Sequence, residues 1–235
     1  MDCGGAGARW SACGAEPRHL VPGRPPDFRT DGVHAGVGAG GRVREPKEYR
    51  HLFPGFYVAN GDAPEATDDA PTVRVYWNVR VDGAVELIAG LTRGLNGRGI
   101  PFQLKAPDDP RGFDRADAVV VYLPKEAYQA AAPLIDGLHR GIRPYLRPWV
   151  SAYAKHLAPG LGVAEDPPGD LSFGEQRSRL LATALAGPDV ALAASVENRL
   201  QAVTSALRAA GYKPEAFHLN PGSPDTYEAF ERSAT

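Results

Sequence analysis

The most regular alternation of apolar and polar side chains runs through residues 72–81, TVRVYWNVRV. A period of two places successive side chains on opposite faces of a β-strand, so this segment is predicted to be a strand. The apolar face is Val73, Val75, Trp77 and Val79, and the polar face is Arg74, Tyr76, Asn78 and Arg80. The polar face is interpreted either as a solvated strand surface or as an oxyanion-binding surface, because arginine with Asn and Tyr can hold an anion.

A second pair of strand signals flanks an acidic loop. Residues 102–105, FQLK, alternate between apolar and polar side chains, and residues 118–123 form a nearly continuous apolar run. Antiparallel pairing of the two strands would place Lys105, at the end of the first, and Arg115, just before the second, on one rim of the sheet.

Helical periodicity and turn residues predict the remaining elements. The predicted helices cover about residues 82–96, 125–145, 174–186 and 189–210, with Asp82 and Ser172 as the caps of the first and third. A short helix with an aromatic turn is predicted for residues 47–61, a loop-rich stretch for 148–176, and a short strand with a tail near the C-terminus. His139 is expected to be a solvated residue of the second helix.

These elements predict an α+β fold, with a twisted, mainly antiparallel sheet flanked by helices in a single domain. The predicted domain covers residues 46–235. Residues 1–45 are rich in Gly, Pro and Arg and lack hydrophobic periodicity, which predicts a disordered tail. The GVGAGG run of this tail matches a dinucleotide-binding spacing, but no strand precedes it and no apolar helix follows it, so we discard it.

Composition narrows the class of function. The net charge of −2 and the pI of about 6.3 argue against nucleic acid as a partner. The two cysteines, Cys3 and Cys13, have no second ligand pair, so structural zinc is not expected. The chain has no apolar run long enough to cross a membrane and no apolar N-terminal core for secretion, which predicts a cytoplasmic protein without a membrane partner.

The candidate chemistry centres on Lys105. A lysine held beside arginines in a partly dry cleft is pushed toward its neutral form, in which it can abstract a proton. Arginine stays charged and can grip a phosphate. The alternative is that Lys105 is a solvated lysine at a strand end. Arg177, near the start of the third predicted helix, is expected either to meet an anionic ligand or to form an ion pair with Glu175 or Asp170.

Three motifs in order, VRVYWNV, IPFQLKAPDDPRGFDRADAVVVYL and LAPGLGVAEDPPGDLSFGEQRSRLLATAL, resemble the HopA1 family over about residues 45–220. That family groups a type III secretion effector with bacterial proteins of peptide natural-product clusters. The resemblance implies a phospho-Ser/phospho-Thr lyase of lanthipeptide or thioamitide biosynthesis, which acts after a kinase-like partner on a ribosomally made precursor peptide. Elimination of phosphate leaves dehydroalanine or dehydrobutyrine, and a cyclase of the same pathway is a possible further partner.

A more distant similarity to phosphothreonine lyases implies the roles of single residues. Lys105 matches the base of those enzymes, and Tyr122 matches a tyrosine on the following strand. The matches for phosphate binding are Arg115 and Arg177, to which Arg74 and Asn78 are added from the polar face of the first predicted strand. No metal or organic cofactor is implied.

The similarity leaves the general acid open. The corresponding strand, VRVYWNV, lacks the histidine that serves as the acid in those lyases. The acid is then Tyr76, Asn78 or His156, or there is none. Two other functions stay open beside the lyase: a non-catalytic module that binds peptide or activates the kinase, and a type III effector-like protein.

Overall fold

One open, seven-stranded sheet organises the protein. The computed structural model describes residues 47–64, 70–169, 171–187 and 195–230. The strands are β1 (Glu48–Phe53), β2 (Phe56–Asn60), β3 (Thr72–Trp77), β4 (Gln103–Pro107), β5 (Val119–Pro124), β6 (Lys155–Ala158) and β7 (Leu161–Glu165). Their order is β1-β2-β4-β5-β3-β7-β6, and every neighbouring pair is antiparallel. The α+β class with a single, mainly antiparallel sheet is confirmed.

Four helices flank this sheet in the described part of the chain. They are α1 (Val81–Asn96), α2 (Tyr128–Ile142), α3 (Phe173–Leu185) and α4 (Val196–Ala209). Each corresponds to a predicted helix, although residues 188–194, where the fourth was predicted to begin, lie outside the described residues. The predicted tail of residues 1–45, with both cysteines and the glycine-rich run, also lies outside them.

The main core lies between one sheet face and helices α1 and α2. Leu87, Leu91 and Leu95 recur every fourth residue on α1 and are fully buried against Trp77 and the other apolar residues of β3. The two helices approach closely because α1 has a glycine where α2 presents a leucine. A Cβ at Gly90 would lie 2.7 Å from a methyl group of Leu138.

The two predicted helix caps differ in outcome. Ser172 caps α3 as predicted, because its hydroxyl accepts a hydrogen bond from the backbone N–H of Glu175 at 3.3 Å. Asp82 was wrongly predicted as a cap, since α1 begins at Val81 with Arg80 at the N-cap position. Asp82 instead lies in the first turn and pairs with the Arg80 guanidinium, with Nη2 and Oδ2 2.7 Å apart. A carboxylate there also complements the helix dipole.

The short helix predicted near residue 47 is wrong. Residues 48–60 form a hairpin in which Phe53 pairs with Phe56 across a turn at Pro54 and Gly55, and Gly55 has a φ of 83°. Pairing with β4 then satisfies the other edge of β2. A short isolated helix would leave its terminal backbone groups unpaired, which is why tertiary pairing prevails over the local pattern.

The loop-rich interpretation of residues 148–176 is also wrong in its centre. Strands β6 and β7 form a hairpin there, and Leu161 and Val163 of β7 are fully buried. The turn between them contains Gly160, with a φ of 74°, and a Cβ on this residue would lie 2.4 Å from the carbonyl oxygen of Arg147. Pro and Gly therefore mark a tight turn within a sheet here, not an extended loop.

The C-terminal segment, residues 212–230, packs along the end of β7. The short strand predicted there is wrong, since the segment has one 3₁₀ turn, Pro214–Ala216, and is otherwise irregular. It is held by the buried carboxylate of Glu165, which accepts hydrogen bonds from Ser223 Oγ at 2.7 Å and Tyr227 Oη at 3.0 Å. Lys125 Nζ lies 2.6 Å from the same carboxylate and balances its charge.

His139 was wrongly expected to be solvated. Its side chain is buried beneath the sheet, with the ring 6.4 Å from that of Trp77. Nε2 lies 2.9 Å from the carbonyl oxygen of Pro159. The histidine therefore fixes the β6–β7 turn to α2, a contact that depends on the unpredicted hairpin.

Candidate active site

Lys105, Tyr122 and Arg74 lie on the sheet face opposite α1 and α2. They belong to three neighbouring strands, β4, β5 and β3. Arg74 is directly opposite Tyr122 in the β3–β5 register, and Lys105 lies two residues beyond the partner of Tyr122 in the β4–β5 register. Diagonal neighbours of this kind are about 7–8 Å apart, within reach of long side chains. Residues far apart in sequence thus converge on one surface.

Lys105 is half-buried and lies between Val58 and Val120 of the neighbouring strands. Its Nζ is 3.8 Å from the centroid of the Phe56 ring, a cation–π geometry. Strand β4 continues to Pro107, so the prediction that Lys105 ends the strand is wrong. The side chain of Lys105 therefore extends from the middle of a strand that pairs on both sides.

Arg74 is almost completely buried beneath this surface. Its Nη2 lies 2.6 Å from Oδ1 of Asp166, and only 5% of its side chain is exposed. Its Cζ is 5.1 Å from the centroid of the Tyr122 ring. Among the described residues, its Nε has no hydrogen-bond partner. Arg74 is therefore held next to the tyrosine in a buried ion pair with Asp166.

Tyr122 is almost completely buried on this face, in one cluster with Tyr76 and Phe173. Burial raises its pKa to about 12; Arg74 opposes this shift, Asp166 and Asp117 add to it, and Arg115 opposes it. The phenol is therefore neutral at physiological pH. Tyr122 thus lies within the electrostatic reach of two arginine–aspartate pairs.

Arg115 belongs to the second, more exposed of these pairs. It lies in the loop before β5, where it forms a bidentate contact with Asp117: Nε to Oδ1 at 2.5 Å and Nη2 to Oδ2 at 2.7 Å. The two side chains are 46% and 31% exposed. The hydrogen bonds to Asp117 raise the pKa of Arg115, which stays charged. Of the predicted phosphate-binding arginines, Arg115 is the one that solvent reaches.

Asn78 lies just beyond the end of β3 and is buried. Its Nδ2 donates to the carbonyl oxygen of Trp149 at 3.0 Å, and its backbone N–H donates to Gly160 O at 2.8 Å. These contacts tie the 146–149 loop and the β6–β7 turn to the sheet. The predicted phosphate contact of Asn78 stays a prediction, and its contacts here are structural.

Arg177 is fully buried on α3, where it binds the C-terminal segment. Its donors meet Phe217 O and Leu219 O at 2.9 Å, Tyr212 Oη at 3.1 Å, Asn220 Oδ1 at 3.4 Å, and Gln176 Oε1. The guanidinium also stacks between the rings of Phe173, Tyr212 and Phe217. Burial lowers its pKa. Phosphate binding by Arg177 stays a prediction, and it would require these bonds to be exchanged.

The candidates for the general acid lie at different distances from Lys105. His156 is on the edge strand β6, four strands from β4, which corresponds to about 19 Å at ~4.8 Å per strand. Tyr76 is closer, since Val120 pairs with both Lys105 and Tyr76, and like Tyr122 it is buried in the cluster around Phe173. Burial raises the pKa of the Tyr76 phenol. Tyr122 lies on the strand beside Lys105, diagonal to it in the β4–β5 register.

Two site residues were missed by sequence reasoning. Asp166, the partner of Arg74, follows β7 in a segment interpreted as a loop, so its position beside β3 had no local signal. Asp117 had a weak signal, because it lies two residues after Arg115 in the run FDRADA.

The residues that the structure describes contain no helix that is both long and apolar enough to cross a membrane. They also contain no cluster of three His, Cys, Asp or Glu side chains arranged to hold a metal ion.

The fold is similar to that of known protein structures. Two effector protein structures from Pseudomonas syringae are similar: that of pv. tomato strain DC3000, with a TM-score of 0.55 and 20% identity, and that of pv. syringae strain 61, with 0.54 and 22%. Each match covers 70% of this chain and 62% of the effector chain, so this chain spans less than two thirds of their length. At such identities the likeness shows the fold alone.

The family assignment comes from a separate comparison. No match is found among curated proteins. The model of the HopA1 effector protein family, however, matches residues 48–219, from the first strand to the C-terminal segment that binds Arg177. Because this match covers most of the chain, the protein belongs to the HopA1 effector protein family.

Proposed function

We propose that this protein is a phospho-Ser/phospho-Thr lyase that eliminates phosphate from a ribosomally made precursor peptide. The observation that carries the proposal is the position of Lys105 diagonally across from Tyr122 on the sheet face opposite the two core helices. The backbones of these two residues are about 7–8 Å apart. At this separation a primary amine and a neutral phenol can reach the Cα–H and Cβ–O bonds that an elimination breaks.

The proposed step assigns one task to each residue. The neutral amine of Lys105 takes the Cα proton of the phosphorylated residue, and the released electron pair forms the Cα–Cβ double bond. The Cβ–O bond breaks, and phosphate leaves with its electron pair. Tyr122 donates a hydrogen bond to the leaving oxygen while Arg115 compensates its charge. Phosphoserine gives dehydroalanine, and phosphothreonine gives dehydrobutyrine.

Arg74 has an indirect role in this proposal. It is 5% exposed and paired with Asp166, and its role is to hold the Tyr122 ring, whose centroid is 5.1 Å from its Cζ. Arg177 is assigned the structural role of holding α3 to the C-terminal segment. The reaction needs a phosphorylated substrate, so the protein would act after a kinase-like partner, in a lanthipeptide or thioamitide pathway.

A direct assay tests the proposal. The purified protein is incubated with a degenerate library of synthetic peptides that each carry one phosphoserine or phosphothreonine. We expect loss of one phosphoric acid by mass spectrometry, matched by released inorganic phosphate and by products that add a thiol. Peptides that bind but keep their phosphate would instead favour the non-catalytic peptide-binding module.

Arg115→Ala is expected to weaken binding of a phosphopeptide by about tenfold or more, because a charge-assisted hydrogen bond contributes roughly 1.5–3 kcal/mol. Binding of the unphosphorylated peptide should be unchanged. The matched control is Arg111→Ala, since Arg111 lies in the same loop, pairs with Asp109 in the same manner and is 91% exposed. Fluorescence anisotropy measures both peptides. An equal loss for both would remove Arg115 from the phosphate site.

A further inference from the structure

We propose that Asp117 competes with phosphate for the Arg115 guanidinium, so that it weakens binding of the phosphorylated substrate and promotes release of the inorganic phosphate product. The inference rests on the proposed function, in which Arg115 holds the phosphate. Asp117 has no role in the proposed elimination step itself. Its effect is on binding, which can be measured without any turnover.

The geometry of the pair carries the inference. Asp117 presents two carboxylate oxygens to the Nε and Nη2 of Arg115, at 2.5 Å and 2.7 Å. This is the fork geometry in which a guanidinium holds two oxygens of a phosphate. The carboxylate therefore occupies one phosphate-binding edge and also compensates the charge that attracts an anion. Both effects oppose phosphate binding.

The pair is exposed enough to exchange. Arg115 and Asp117 are 46% and 31% exposed, whereas Arg74 and Asp166 of the buried pair are 5% and 17% exposed. An incoming anion can therefore separate the outer pair without opening the core. Both outer charges also influence the Tyr122 phenol. When phosphate has left Cβ, the carboxylate can return to Arg115 in its place.

The size of the effect follows from the strength of such a pair. Partly exposed ion pairs are weak, so Arg115 is free of Asp117 for part of the time. The fraction of Arg115 that is free sets the apparent affinity for phosphate. Removing the competing carboxylate should therefore strengthen phosphate binding by roughly two- to sixfold.

The test is isothermal titration calorimetry of the full chain with inorganic phosphate and with a phosphothreonine peptide. Asp117→Asn is expected to bind both two- to sixfold more tightly. Asp109→Asn is the matched control, because it makes the same change in net charge in the same loop and frees Arg111. Its affinities should equal those of the wild type. In the double variant Arg115→Ala/Asp117→Asn, the gain should disappear.

Unchanged or weaker binding by Asp117→Asn would overturn the inference, and weaker binding would mean that Asp117 orients Arg115 for phosphate. An equal gain in Asp109→Asn would also overturn it, since the cause would then be net charge alone. The proposed function fails separately, if no variant eliminates phosphate. The binding comparison would in that case still decide whether Asp117 competes at an anion site.

Discussion

Replacing Lys105 with alanine is expected to slow phosphate elimination by about 10²-fold or more while phosphopeptide binding changes little. The substitution removes the proposed proton acceptor, but Arg115, Arg74 and Tyr122 keep their positions, because Lys105 lies on a central strand whose backbone pairing does not depend on its side chain. Lys105→Arg retains the positive charge but does not offer a neutral amine. It is therefore expected to be nearly as inactive as alanine, although it is the conservative change.

Initial rates with a phosphoserine peptide, together with binding affinities, measure this prediction. Lys213→Ala is the control, because Lys213 is an exposed lysine before the 3₁₀ turn of the C-terminal segment, away from the strands that carry Lys105 and Tyr122. It should leave both quantities unchanged. If Lys105→Arg eliminates phosphate at nearly the wild-type rate, the lysine is an electrostatic contact only. The base would then have to be another residue.

The strands that were correctly predicted are those in which the apolar residues of the alternating pattern are the residues that face the core. The residues of β3 alternate between the core of α1 and α2 and the opposite face, so a period of two is visible without any knowledge of neighbours. The same holds for the pairing of β4 with β5, which are close in sequence. Local periodicity was sufficient there because each strand has one wholly apolar face.

The strands that were missed are short and flank Pro-Gly turns. β2 and β7 lie inside the sheet because β4 and β3, far from them in sequence, supply hydrogen-bond partners. The local signals in the sequence are Pro54, Gly55, Pro159 and Gly160. These residues are equally typical of loops and of hairpin turns, so they do not predict strands on either side. The distinction depends on tertiary pairing, which single-sequence patterns do not contain.

The same limit explains what was predicted of the candidate site. Lys105, Tyr122 and Arg74 fall on one face because alternate residues of a strand share a face and the register aligns the three strands. The alternation of residues 72–81 and 102–105 is visible in the sequence, whereas the nearly continuous apolar run of residues 118–123 does not show which way Tyr122 points. The Arg74–Asp166 pair depends on the position of β7 beside β3, which was not predicted. Similarly, the burial of Arg177 depends on an irregular C-terminal segment that lacks any periodic signal.

Arg177→Ala is expected to lower the free energy of unfolding by about 3–5 kcal/mol. The substitution leaves the carbonyl oxygens of Phe217 and Leu219 without their donors in a buried position, and it removes the group that three aromatic rings enclose. The C-terminal segment would then lose its main contact with α3. Urea denaturation, followed by circular dichroism, measures the change from the transition midpoint and slope.

Arg179→Ala is the matched control, because Arg179 lies on the same helix, is 62% exposed and pairs only at the surface with Glu175. It should change the free energy of unfolding by less than about 0.5 kcal/mol. Arg177→Lys separates the two roles considered for this residue, since it keeps a charge but loses the fork that binds several carbonyls. If Arg177→Lys unfolds like the wild type yet binds phosphopeptide tenfold more weakly, Arg177 contacts the phosphate directly. Loss of stability with normal phosphopeptide affinity would place its whole effect in the anchoring of the C-terminal segment.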